Sequence, residues 1–263
     1  MSLAVKADSL EAALEAAIRR FDGTSPVTPQ VHHHFGYAGD VAGAHARLRM
    51  RLVLEVVAEE GGQFTDGLDV ACAVEILHNS TLVHDTVESV APFGLAHGIN
   101  AGDALCAMAY LQLLEGPARR APEQTVLMTR ALQEANFALC AGQAQEIAFE
   151  RAGTVEADAY LAMIGGKAAL FAVACELGAL VAGATPERTR AYARLGRTSG
   201  MAFQMENHVQ SDPQSRTWAL PGIASLATAR AYLADGDAAA SAAGIDASGR
   251  VRAFFARAIR PAA

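Results

Sequence analysis

Apolar residues recur at three- and four-residue intervals through almost all of this 263-residue chain. This spacing predicts α-helices, because it gathers the apolar side chains on one face of each helix. The same segments are rich in alanine, leucine, glutamate and methionine, and none shows sustained alternation typical of a β-strand. The predicted helices are Leu10–Phe21, Ala42–Glu60, Asp69–Val87, Gly102–Glu115, Glu123–Glu150, Val155–Ala182, Pro186–His208 and Leu220–Leu233.

Glycine and proline separate these helices, but no linker rich in glycine, serine or proline divides the chain. No internal repeat is present either, so we expect one all-α domain over residues 1–263. The segment from Leu161 to Leu180 is apolar around most of its circumference, which places it in the middle of a helical bundle. A bundle with such central helices can enclose an apolar cavity.

The charge and cysteine content narrow the function classes. A net charge of -7 and a pI near 5.6 give no basic surface for nucleic acid or an anionic membrane. No apolar run reaches the roughly 20 residues that span a bilayer, and the N-terminus lacks a signal-peptide pattern. We therefore expect a cytoplasmic protein.

The four cysteines are widely separated in apolar segments, which favours buried small side chains over zinc ligands or disulfides.

Residues 78–89, HNSTLVHDTVES, are the most informative segment. They resemble the first aspartate-rich helix of the trans-isoprenyl diphosphate synthases: histidine, a short apolar run, histidine, then Asp-Asp-x-x-Asp. The three aspartate positions hold Asp85, Thr86 and Ser89. Residues 203–211, FQMENHVQS, stand where that family has Phe-Gln followed by a second aspartate cluster.

Further segments are similar to the same family, in the same order along the chain. They are Arg47–Met50 (Gly-Gly-Lys-x-Leu-Arg-Pro in the family), Val74–Asn79, Gly98–Leu105 (Ala-Gly-Asp-Ala-Leu), Ala141–Gln143 with Glu146–Glu150 (Gly-Gln-x-x-Asp-x-x-Phe-Glu), Met163–Leu170, and Leu220-Pro221. The chain is thus identified as a divergent member of the polyprenyl synthetase family. That resemblance implies an isoprenoid synthase-type helical bundle around a central apolar cavity.

In family members, diphosphate leaves an allylic substrate while three magnesium ions bridge it to the two aspartate clusters. A departing diphosphate gathers negative charge, and nearby carboxylates repel it unless divalent cations intervene. Replacing carboxylates by Thr, Ser, Asn or His weakens a magnesium shell. The resemblance therefore implies a Mg²⁺ site that is weakened or absent. Asp85 is either a surviving metal ligand or a solvated helix residue.

The resemblance also implies substrate-binding residues. Arg49 and His78 match positions that hold the diphosphate of the second substrate, isopentenyl diphosphate. Lys167 and Gln204 match positions that face the allylic diphosphate, and Gln143, retained from the family's Gly-Gln segment, is a further substrate-binding candidate.

Other cationic positions of the family are lost. Ala46 replaces a lysine, and residues 90–93 replace an arginine-rich loop. Ordinary chain elongation is therefore not expected.

Several polar residues at the two motifs allow more than one interpretation. His84 and Glu88 lie four apart, as a ligand or acid–base pair or as a surface pair. Asn207, with Ser211 and Ser215, partly resembles the metal triad of class I terpene cyclases, or matches it by chance. Asp85, Glu88 and Asn207 are the candidate catalytic residues.

For the remaining candidate residues, a structural role is the simpler interpretation. His208 is a metal ligand, a proton donor or a polar residue at a helix end. The run His32–His34 is better explained by structure than by metal binding, since consecutive side chains point in different directions. Asp103 is expected to cap or orient a helix that begins near Gly102.

Two functions remain open, with a lipid-binding protein as a weaker third. The first is an atypical prenyltransferase or terpene cyclase-like enzyme that acts on an allylic prenyl diphosphate with a reduced metal site. The second is a non-catalytic subunit of a heteromeric prenyl diphosphate synthase. The resemblance implies a homodimer in the first case and a heteromer with an intact prenyl synthase in the second.

Overall fold

The computed structural model describes residues 3–21, 27–35, 47–89, 94–117, 120–210, 226–246 and 249–258. Every extended regular element in these ranges is an α-helix, which confirms the all-α class. The helices are α1 Leu3–Arg19, α2 Thr28–Phe35, α3 Leu48–Glu59, α4 Leu68–Ser89, α5 Leu95–Leu114, α6 Pro122–Ala152, α7 Ala157–Lys167, α8 Ala169–Val181, α9 Pro186–Gln210, α10 Leu226–Ala242 and α11 Arg250–Ala258. A 3-10 turn, Phe64–Asp66, precedes α4.

The chain divides into two compact units. The first comprises Met1–Arg51 and Leu68–Thr129, and the second comprises Leu52–Gly67 and Arg130–Ala263. The expectation of one domain with a central cavity therefore stays a prediction.

In the first unit, α4 packs along α5, and α1 and α2 lie against these two helices. The α4 segment 70–77 is buried on all sides, because seven of its eight residues are apolar and the eighth, Glu75, has ionic partners. Such an all-round apolar helix has to lie at the centre of its unit. The first motif, residues 78–89, directly follows this buried segment on the same helix.

In the second unit, α9 is the central helix and contacts α7, α8 and α10. Phe171 on α8 packs against Phe203 on α9 and Phe255 on α11, with ring centroids 5.3 Å and 6.2 Å apart. Gly196 and Gly200 allow α9 to approach α8 closely, since a Cβ at either position would meet Phe171. Residues 203–210 of the second motif form the C-terminal turns of this well-packed helix.

The helices differ from the predicted ones in several places. The helix expected to begin at Gly102 begins at Leu95, because the glycines at its start are accommodated by packing and do not interrupt it. The predicted helix Val155–Ala182 breaks at Ala168, which ends α7 and precedes α8. Helices α2 and α11 were not predicted.

No single helix in the described ranges is both long and apolar enough to cross a bilayer. Helices α7 and α8 reach that length and composition only as a pair, and they are bent by 44° at the break.

Candidate functional site

Arg49 and His78 meet in the first unit. Arg49 lies in the first turn of α3, and its Nη1 is 2.8 Å from His78 Nε2 on α4. A guanidinium only donates hydrogen bonds, so Nε2 is the acceptor and the neutral imidazole carries its proton on Nδ1. Burial lowers the pKa of Arg49 to about 10, and the nearby Glu75 opposes that change. Arg49 therefore remains a cation at neutral pH, and the two predicted residues form one polar pair.

Glu75 supports this pair from one turn earlier on α4. Its side chain is buried, with Oε2 accepting from the backbone N–H of Met50 at 3.3 Å and Oε1 near Asn79 Nδ2 at 3.4 Å. Burial raises the pKa of Glu75, while Arg47 and Arg49 favour its charged form. The carboxylate therefore anchors the start of α3, which carries Arg49, to α4.

Arg47 is a second buried cation of this unit. Its backbone has a φ of 44°, a left-handed conformation that is rare for residues other than glycine. The side chain bonds Glu11 at 2.7 Å, donates to the carbonyl of Phe35 at 3.3 Å and lies 3.8 Å from Glu75. These contacts join α1 and α2 to α4 and hold the strained residue in place. Arg47 therefore has a structural role.

His84, within the first motif, faces the neighbouring helix α5. Its Nε2 lies 3.5 Å from Asp103 Oδ1, and the ring packs on Gly102, where any Cβ would collide with it. The predicted capping role of Asp103 is therefore wrong, because α5 begins at Leu95. The Asp103 side chain contacts His84 instead. Asp85 is exposed at this end of α4. The backbone of Glu88 lies in α4, and its side chain is outside the described part, so the pairing of His84 with Glu88 stays a prediction.

In the second unit, α6 and α7 cross at two glycines. A Cβ on Gly142 would lie 2.9 Å from the carbonyl oxygen of Met163, and one on Gly166 would lie 2.7 Å from that of Ala138. Only glycine permits such close backbone contact. The crossing brings Lys167, at the end of α7, against the helix that carries Gln143.

Lys167 forms an ion pair with Glu146, one turn beyond Gln143 on α6. Glu146 Oε1 lies 3.4 Å from His208 Nε2, and His208 Nδ1 lies 3.1 Å from the Tyr160 hydroxyl. Glu146, His208 and Tyr160 are buried, and Lys167 is the half-buried end of this chain of contacts. His208 is thus a polar residue near the end of α9, and it is buried beside Glu146.

The other predicted residues of this unit surround the same helix ends. Gln143 and Gln204 are half-buried, and Asn207 is exposed on α9. Asn207 and His208 point apart because successive residues of a helix differ by about 100° in direction. Ser211 and Ser215, the rest of the triad-like pattern, lie outside the described residues.

In the described part of the chain, the two motifs present few carboxylate donors for magnesium. Across the described ranges, no three side chains of His, Cys, Asp or Glu come together in an arrangement that could hold a metal ion. Magnesium requires several oxygen ligands in a near-octahedral shell. At the second motif, His208 is turned toward Glu146, and the neighbouring Asn207 supplies only a neutral amide oxygen.

A family model described as polyprenyl synthetase matches residues 31–210. The chain belongs to the polyprenyl synthetase family. It is 34% identical over 217 residues to the geranylgeranyl diphosphate synthase of Mycobacterium tuberculosis, covering 75% of this chain and 59% of that protein. It is also 34% identical over 194 residues to a (2E,6E)-farnesyl diphosphate synthase of Mycobacterium bovis, covering 67% of this chain and 53% of that one. The chain thus spans less than two thirds of these relatives' length.

Solved structures of the polyprenyl synthetase family share the fold. The geranylgeranyl pyrophosphate synthetase of Geoglobus acetivorans matches with a TM-score of 0.77 and 21% identity, covering 97% of both chains. A polyprenyl synthetase from Streptomyces coelicolor A3(2) matches with a TM-score of 0.72 and 24% identity, covering 97% of this chain and 96% of that chain. At these identities the likeness establishes the isoprenoid synthase fold alone.

Sequence reasoning missed the buried partners of the predicted cations. Glu75 lies three residues before His78, and Glu146 lies three residues after Gln143. A spacing of three places two side chains on the same face of a helix. This spacing was visible in the sequence, but the contacts to Arg47 and Lys167 depend on packing between helices.

Proposed function

We propose that this chain is an atypical isoprenoid enzyme, prenyltransferase or terpene cyclase-like, that acts on an allylic prenyl diphosphate with a reduced metal site. Its reaction differs from normal chain elongation. The observation that carries the proposal is the retention of Arg49 beside His78, and of Lys167 near Gln143, where the motif carboxylates are lost.

Arg49 and His78 are the proposed phosphate-binding pair of the first unit. The guanidinium presents several N–H donors, a geometry that suits phosphate oxygens. His78 orients it through the 2.8 Å contact, and Glu75 fixes the helix start from behind. A bound phosphate would accept hydrogen bonds from the Arg49 guanidinium, which His78 holds in place.

Lys167 is the proposed cation of the second unit. An ammonium placed at the departing diphosphate stabilises the negative charge that develops as the carbon–oxygen bond breaks. Gln143 and Gln204 offer neutral donors to the same group, and the half-buried setting strengthens their electrostatic effect. Asn207 is the proposed polar residue of the second motif.

Asp85 and Glu88 are the proposed catalytic residues of the first motif. Asp85 is exposed at the end of α4 and is the proposed ligand for one magnesium ion, if the ion takes most of its shell from water and phosphate. When bound, Mg²⁺ would neutralise charge on the diphosphate. Glu88 is the proposed proton acceptor.

The proposal is tested by incubating the purified protein with geranyl, farnesyl and geranylgeranyl diphosphate, with and without isopentenyl diphosphate and Mg²⁺. Released diphosphate and extracted hydrocarbon products are measured. Release that is lost in Lys167→Gln supports an enzyme. No diphosphate release from any of these substrates would refute it.

The second candidate function is a non-catalytic subunit of a heteromeric prenyl diphosphate synthase. It is favoured by exposed apolar side chains on α5 and on the first turns of α6, which suit a partner chain. These side chains are Leu95, Ile99, Leu111, Leu114, Val126 and Leu127. An enzyme of this family could use the same surface to form a homodimer.

Co-expression with an intact prenyl synthase separates the two candidates. A subunit co-purifies with the synthase, changes its product length and releases no diphosphate alone. An enzyme acts by itself as a homo-oligomer, and its activity is unchanged by the second protein.

A further inference from the structure

We propose that Glu146, oriented by His208 and Tyr160, is a positioning residue that sets the affinity of Lys167 for a diphosphate group. The carboxylate is the counter-ion that the ligand has to displace. This inference rests on the proposed function, since it concerns the same phosphate-binding lysine.

His208 lies between Tyr160 and Glu146. Its Nε2 is 3.4 Å from Glu146 Oε1, which is an ionic-range contact and not a hydrogen bond. Its Nδ1 forms a hydrogen bond with the Tyr160 hydroxyl at 3.1 Å. These two contacts hold the imidazole against the carboxylate.

Glu146 and His208 are more deeply buried than Lys167. Side-chain exposure is 4% for Glu146 and 1% for His208, against 14% for Lys167. A carboxylate removed from water keeps its charge only when partners neutralise it. Lys167 is the partner with the opposite charge, and it is also the member of the group that an incoming ligand can reach.

His208 stands in the segment where the family has its second aspartate cluster. An aspartate at this position would place a second negative charge beside Glu146, whereas an imidazole carries no negative charge. The replacement thus converts part of the second motif into an internal support for the Lys167–Glu146 ion pair.

The consequence is a competition between two anions for one ammonium. With Glu146 in place, Lys167 is neutralised within the protein and attracts phosphate weakly. Removing the carboxylate while keeping its shape leaves the ammonium without its counter-ion and strengthens anion binding. A residue with a purely structural role would not raise ligand affinity when it is removed.

The test is calorimetric titration of inorganic diphosphate into the full chain in EDTA. We expect Glu146→Gln to bind about tenfold more tightly than the unchanged protein. Lys167→Gln, alone or combined with Glu146→Gln, is expected to lose that gain. Glu150→Gln is the matched control, because it removes an exposed carboxylate one turn further along α6 and leaves the affinity unchanged.

Glu146→Asp provides a second variant if Glu146→Gln does not fold, since aspartate is the residue of the family motif. Its shorter side chain reaches Lys167 less well, so a smaller gain in the same direction is expected. Unchanged or weaker binding in a folded variant, judged by circular dichroism, would overturn the inference. Tighter binding without diphosphate release from prenyl substrates would support the inference while refuting the enzyme.

Discussion

Individual charged residues carry most of the chemistry proposed for this protein. Each candidate cation has a buried carboxylate nearby: Glu75 for Arg49 and Glu146 for Lys167. The cations were predictable from the family motifs. The carboxylates were not assigned, because their partners lie on other helices and sequence spacing reports only neighbours on the same helix.

Arg49→Gln tests the phosphate-binding pair of the first unit. Glutamine keeps part of the side-chain length but loses the charge, so we expect the affinity for isopentenyl diphosphate to fall about tenfold. Arg51→Gln is the control, since residue 51 points about 200° away from residue 49 around α3. Equal losses in both variants would show that general charge, rather than the contact with His78, determines binding.

Glu176→Gln tests the effect of pH on stability. Burial raises the pKa of Glu176, and the nearby Glu134 raises it further. Because this pKa is higher in the folded chain than in the unfolded chain, the charged carboxylate opposes folding above the folded pKa, and the effect disappears as the pH falls toward the unfolded value.

We therefore expect Glu176→Gln to raise the urea midpoint at neutral pH, with a gain that vanishes near pH ~4. The exposed Glu150→Gln is expected to leave the urea midpoint unchanged at both pH values. A stabilisation that is the same at both pH values would contradict this interpretation.

At the scale of helices, the crossing of α6 and α7 determines the geometry of the second site. A Cβ on Gly166 would meet backbone atoms of Ala138 and Gly142, which cannot move independently. We expect Gly166→Ala to lower the free energy of unfolding by about 1–3 kcal/mol, measured by chemical denaturation.

The neighbouring Gly165 is the matched control. A Cβ there would meet only the guanidinium group of Arg197, with Nη2 at 2.9 Å, and this end of a flexible side chain can move away. Gly165→Ala is therefore expected to be neutral or slightly stabilising, through higher helix propensity. Similar destabilisation by both changes would argue against a close backbone crossing.

The helices themselves were largely predictable because their apolar periodicity is strong. The break at Ala168 was hidden by a continuous apolar run, since a buried bend leaves the hydrophobic pattern unchanged. Helix α2 was missed because eight residues with three histidines show too little apolar periodicity. The first five residues of the predicted helix Ala42–Glu60 lie outside the described part of the chain, and the rest corresponds to α3.

At the scale of the whole molecule, the exposed apolar side chains predict self-association or a partner. Val126 is 64% exposed on α6, an unfavourable position for an isolated chain. We expect Val126→Glu to shift the protein to a smaller species in analytical ultracentrifugation. Gln145→Glu, which adds the same charge at an exposed polar position of α6, is expected to leave the mass unchanged.

The central claim is that this chain handles an allylic diphosphate with nitrogen cations and few metal ligands. The most direct measurement is the rate of diphosphate release from farnesyl diphosphate as a function of free Mg²⁺. We predict measurable release with a shallow, single-ion dependence on Mg²⁺, lost in Lys167→Gln. A steep dependence on several ions, or no release at any Mg²⁺ concentration, would contradict the account.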